Sequence, residues 1–145
     1  MAIVTIGAAN SLAITTPSTT FSCIQGGSVS FDNEFAGFKH CTKNVQTYYQ
    51  STKSASITIE TSDIATWATL EQGDECTAVV LTGGSATDSA GTTTGDNVTF
   101  TLSKAIVTAM SFDVDNSDKA PTVASITFTL ANFPGDATDA AFSIA

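Results

Sequence analysis

Apolar and polar residues alternate with a period of two through most of this chain. Ile57 and Ile59 fall on one side and Ser56, Thr58 and Glu60 on the other, which predicts a half-buried strand over 54–60 with a partner over 45–51. Val98, Phe100 and Leu102 alternate with Thr99, Thr101 and Ser103. Ile106, Met110, Phe112 and Val114 continue that kind of face, and Ile126, Phe128 and Leu130 alternate with Thr127 and Thr129. These stretches read as consecutive antiparallel strands separated by a turn at 116–121. CTAVVLT at 76–82 reads as a further strand, and IVTI at 3–6 and SLAIT at 11–15 as two short ones. Phe21, Cys23 and Gln25 alternate with Ser22 and Ile24. Gly26-Gly27 then predicts a hairpin reversal into SVSFD, where Val29 and Phe31 share a face.

The period changes to that of a helix in one place. In SDIATWATLEQG, Ser62 is an expected N-cap and Asp63 puts a carboxylate in the first turn. Ile64, Trp67 and Ala68 line one face with Leu70 on its shoulder, and Gly73 is placed to end the element. Roughly nine residues cannot hold a helix in isolation, so Ile64 and Trp67 are expected to dock it onto a sheet.

Two stretches have no period. DNEFAGFKHCTKN, 32–44, is expected to be a loop whose Phe35 and Phe38 need burial in this chain or against another. GGSATDSAGTTTGDN, 83–97, is Gly/Ser/Thr-rich, cannot pack a core, and is expected to be a contact loop. The tail ends on Phe142 and Ile144, two candidate anchors. The expectation is one β-rich domain over 1–145: mainly β, an antiparallel sandwich or barrel with one short flanking α-helix.

Charge narrows the partners. The chain carries fourteen acids against five lysines, a formal charge of −9, and no arginine. Arginine is the usual bidentate reader of phosphate and guanine, so specific nucleic-acid binding is not expected; repulsion of a polyanion is. Cys23, Cys41 and Cys76 are odd in number and lack a CxxC spacing, which reads as free thiols in a reducing compartment. The apolar N-terminus has no basic segment, since the first lysine is Lys39, and no stretch reaches the ~18 apolar residues of a spanning helix. Neither export by a leader nor a membrane is expected.

Candidate chemistry falls away on inspection. Asp113, Asp115 and Ser117 have the alternate spacing of a calcium loop. Its sixth position is Asp118 where glycine is needed, and its twelfth is Ala124 where a bidentate Glu is needed, so a polar turn is the better reading. His40 and Cys41 are adjacent and point apart on an extended chain, and a second histidine is lacking for zinc. Asp32 with Glu34, or Asp74 with Glu75, are carboxylates that nothing singles out as a glycosidase pair. Tyr48, Tyr49 and Trp67 could stack on a sugar, but the tyrosines are adjacent and face opposite ways and Trp67 lies on the apolar helix stripe, so the core is the expected place of at least two of them. No catalytic residue, cofactor or metal is expected.

The order of elements resembles that of bacteriophage tail tube proteins and their relatives in contractile injection systems. The likeness lies in ITIETSDIATWATLEQGDECTAVVLTGG, similar to that family's hairpin, short helix and next strand, and in VTFTLSKAIVTAMSFDVDNSDKAPTVASITFTLA, similar to its closing strands. It covers about two thirds of the chain. The resemblance implies a non-enzymatic virion protein made and assembled in the host cytoplasm. Its copies would stack as hexameric rings with other tail proteins, around an acidic lumen that DNA crosses without specific binding. Phe35, Phe38, Tyr48 and Tyr49 are the expected subunit-contact residues. The alternative is a capsid decoration or adhesin-type domain that points Tyr48, Tyr49 or the 83–97 loop outward to a host surface or glycan.

Overall fold

The computed structural model describes residues 11–21, 24–39, 41–42, 44–83, 98–113 and 123–145. Eight strands and one helix follow in order: β1 (Ser11–Thr16), β2 (Thr19–Phe21), β3 (Ile24–Phe38), β4 (Thr47–Thr61), α1 (Ile64–Trp67), β5 (Glu75–Gly83), β6 (Val98–Asp113), β7 (Val123–Leu130) and β8 (Phe142–Ile144). They form one antiparallel sheet in the order β2-β1-β5-β6-β7-β4-β3, with β8 paired to β6 beside that path. The fold is mainly β with one short helix.

Alternation dictates which residues go inside. Ala55, Ile57 and Ile59 of β4, Ala124, Ile126 and Phe128 of β7, and Leu12 and Ile14 of β1 are buried, and their polar neighbours in sequence face outward. All but Ala124 belong to one cluster with Phe21, Cys76, Val79, Leu102, Ala105 and Val107. A helix of four residues cannot cover a face this large, so the sheet covers itself. The bend shows in the pattern: buried Cys76 and Val79 lie three residues apart on β5, as do their partners Ala105 and Leu102 on β6. Strict alternation would space them by two. Between them Ala78 has φ 55°, a left-handed conformation that lets the strand turn a corner and that an alanine adopts only under constraint.

Several expectations change. Gly26-Gly27 is not a reversal: β3 continues through it after a register shift between Ile24 and Gly26, and a Cβ at Gly27 would come within 2.8 Å of the Thr58 carbonyl oxygen, so the glycine allows close strand approach. Residues 32–38 are not a loop, since they continue β3 against β4 as far as Phe38 opposite Thr47. The expected pair 45–51 and 54–60 is one long strand, Thr47–Thr61, and the face begun at Val98 runs on unbroken to Asp113. The helix is one turn, and its N-cap is Asp63, whose side chain accepts from the Thr66 amide, not Ser62. Gly73 lies at φ 97° and donates its amide to the Val107 carbonyl. The expected strand at 3–6, Cys23, His40, the loop over 84–97 and the turn at 116–121 fall outside the described residues.

Candidate functional site: an assembly surface

β3 and β4 pair along their whole length, whereas β7 joins β4 only from Ser56 to Thr61. The distal half of the hairpin therefore extends past the sheet as a two-stranded arm. Its aromatic side chains are largely exposed: Phe31 is 58% exposed, Phe35 61%, Phe38 49% and Tyr48 62%. Phe31 and Phe35 continue the inward-facing side of β3 beyond the core. Tyr48 lies flat over Gly37, where an added Cβ would meet its ring at 2.6 Å, and its hydroxyl donates to Gln46 at 2.7 Å. Tyr49 occupies a backbone position opposite Ala36. A register shift between Glu34 and Phe35 twists the arm where it leaves the sheet.

At the root of the arm, Phe31 stacks on Phe142 of β8 at 5.5 Å, above a depression of about 260 Å³ that Lys53, Ala55 and Leu130 also line. The segment leading to β8 is held by its own polar groups. Asn132 bridges Asp139 and the Ala140 amide, and Asp136 takes the Phe133 amide and the Lys104 ammonium at 2.8 Å. The lysine hydrogen bond, then the amide, hold the Asp136 carboxyl below the ordinary range.

Trp67 packs against the core cluster, stacks on Phe112 at 5.6 Å, and donates its indole N–H to the Ser125 carbonyl at 3.0 Å. Ile64, in the same turn, is half-buried. Thus Ile64 and Trp67 sit near the sheet, while Phe35 and Tyr48 share one face of the arm and Phe38 falls on the other.

Among the described residues no group of three His, Cys, Asp or Glu is placed to hold a metal. Asp74 caps a turn by accepting from the Glu71 amide, and so serves structure. Cys76 is buried, which raises its thiol to about 11, with Asp74 adding to the shift; Cys41 is exposed, and neither forms a disulfide. No described helix is long and apolar enough to cross a membrane.

Sequence reasoning missed the outer face of β3, β4, β7 and β6. Ser30 and Ser56 hydroxyls lie 2.7 Å apart, Thr58 and Thr127 3.0 Å, and Thr108 and Thr129 2.8 Å. The signal was present as Ser/Thr at every second position, but which strands were neighbours was not.

No protein-family model and no curated protein matches the chain. Solved structures do. A chain of the sheath–tube complex of an extracellular contractile injection system, PVC, in its extended state, aligns with TM-score 0.53 at 16% identity over 95% of this chain and 88% of that one. A chain of the tube-terminating cap of the anti-feeding prophage aligns with TM-score 0.55 at 15% identity, over 95% and 89%. A chain of the sixfold-symmetrised anti-feeding prophage baseplate aligns with TM-score 0.52 at 13% identity, over 100% and 97%. This chain therefore shares its fold, over nearly its whole length, with components of tail-like contractile injection assemblies.

Proposed function

We propose that this protein is a non-enzymatic structural subunit of a phage virion tail. In this reading it is the tube subunit, whose copies form hexameric rings that stack with other tail proteins around a passage for DNA. The observation that carries the reading is the arm: four large aromatic side chains exposed on a paired hairpin that extends past its own sheet are built to be covered by another molecule. The shared fold with tube, cap and baseplate assemblies supports a second copy or a sister tail protein as the cover. The sheet adds a means of closure. Its two ends in the four-stranded part, β3 from Gly26 to Asn33 and β6 from Ala109 to Asp113, pair with no further strand among the described residues. Unlike edges meeting head to tail generate a ring when the rotation closes, and closure removes both edges. Assembly would take place in the host cytoplasm, a reading in keeping with the free thiols of Cys41 and Cys76.

Electron microscopy of the purified protein at high concentration tests this. Rings or tubes are expected for the native chain, and Phe35→Ser with Tyr48→Ser should leave the subunit folded and monomeric. Trimers or monomers under all conditions, with binding on a glycan array through Tyr48, would instead support the decoration or adhesin role.

A further inference from the structure

On the four-stranded part of the sheet, the register sorts the outward residues into rows about 7 Å apart. One row is Ser30, Ser56, Thr129 and Ile106; the next is Ser28, Thr58, Thr127 and Ala109, with Thr108 bulged between the two. Neither row carries a charge on these four strands, in a chain whose formal charge is −9. Carboxylates frame them. Asp32 stands in the row on the arm side, Glu60 and Asp113 lie toward the helix side, and Glu75 begins β5 across from Ile106. Among the described residues two lysines lie near this frame: Lys104, which is paired with Asp136, and Lys53, which sits on β4 opposite Asn33 and alternates to the other face from Ser54.

The opposite face of the same four strands carries the core and, behind it, β1, β2, β5 and α1. When copies join through the β3 and β6 edges, the thick side needs the larger circumference and must lie outside. The thin, bare side then lines the hole. We propose that this hydroxyl face is the wall of the passage, so that a polyanion moving through meets a charge-free waist framed by carboxylates and not a uniformly acidic channel. The inference rests on the tube reading and refines its expectation of an acidic lumen. Its chemistry suits passage without adhesion: hydroxyls bonded to one another have fewer donors left for phosphate, neither row contains a lysine to exchange counterions, and the framing carboxylates hold a polyanion off centre.

Cysteine labelling of assembled protein tests the placement. In a background with Cys23 and Cys41 replaced by serine, Ser30→Cys and Thr127→Cys probe the hydroxyl face, and Ala65→Cys on the exposed side of α1 is the control. In tubes, the first two should react with a small maleimide while labelling by a bulky polyethylene-glycol maleimide falls by at least an order of magnitude; Ala65→Cys should react with both. As an independent readout, Thr127→Lys tubes should retain a single-stranded oligonucleotide in a nuclease-resistant form, which native tubes do not. Tubes in which the bulky reagent still reaches Ser30→Cys and Thr127→Cys, in which neither reagent does, or in which retained oligonucleotide is fully digested, overturn this inference and leave the tube reading standing. Absence of rings and tubes altogether overturns both.

Discussion

At the scale of single residues, burial and hydrogen bonding decide the effects. Trp67 couples the helical turn to β7 through its bond to the Ser125 carbonyl and to β6 through Phe112. Because the indole is half-buried, Trp67→Ala should destabilise the subunit by about 3 kcal/mol, at the lower end for such truncations. Chemical denaturation followed by far-UV circular dichroism measures this. Cys76 makes a pH prediction. Burial, then the Asp74 charge, raises its thiol from 9.0 to about 11, so the folded state holds the proton more tightly than the unfolded one. The stability that follows is complete below about pH 9 and is lost as pH climbs toward about 11. The denaturation midpoint of the native protein should fall across that window, and that of Cys76→Ala should fall less.

At the scale of elements, long strands and one minimal helix divide the work. The turn of α1 contains no buried residue and depends on its cap, where Asp63 accepts from the Thr66 amide at 3.3 Å and from the Thr66 hydroxyl at 2.6 Å. Asp63→Ala should remove about 1 kcal/mol and loosen the chain between β4 and β5. Amide exchange at Trp67 and Ala68 should quicken, because their N–H groups donate to Asp63 and Ile64 carbonyls within that turn. The arm behaves in the opposite way. Its aromatic residues contribute little to the core of the isolated subunit, and Gly37 keeps Tyr48 flat along the hairpin, so substitutions there should register in assembly before they register in stability.

At the scale of the whole molecule, charge opposes what shape favours. Each copy carries −9, so bringing copies together costs electrostatic work that mobile ions reduce. Screening reaches about 10 Å at 0.1 M salt, comparable to spacings across a subunit contact. Assembly followed by light scattering should therefore accelerate as sodium chloride rises from low concentration toward that range. Acceleration on removing salt would mean that attractive charge pairs, and not the apolar arm, drive association.

The sequence by itself determined the β class, the core residues Ile57, Ile59, Leu102, Ile126 and Phe128, the place of the short helix, and the lack of arginine for gripping phosphate, because side-chain period and charge are local properties. It did not reveal that 32–38 continues β3. Asp, Asn and Gly in that stretch read as loop, and what makes it strand is its pairing with Thr47–Ser54, which lies across a turn and is not local. The helix shortened for a related reason: the Thr69 and Leu70 amides donate to carbonyls three residues back, the Glu71 amide donates to the Asp74 carboxylate, and Gly73 is tied to the Val107 carbonyl, so a second α-turn lacks its donors. Only the tertiary structure decided which hydroxyls are neighbours, which edges remain open and which aromatic residues leave the core, since each depends on strand order and on where the sheet bends at Ala78.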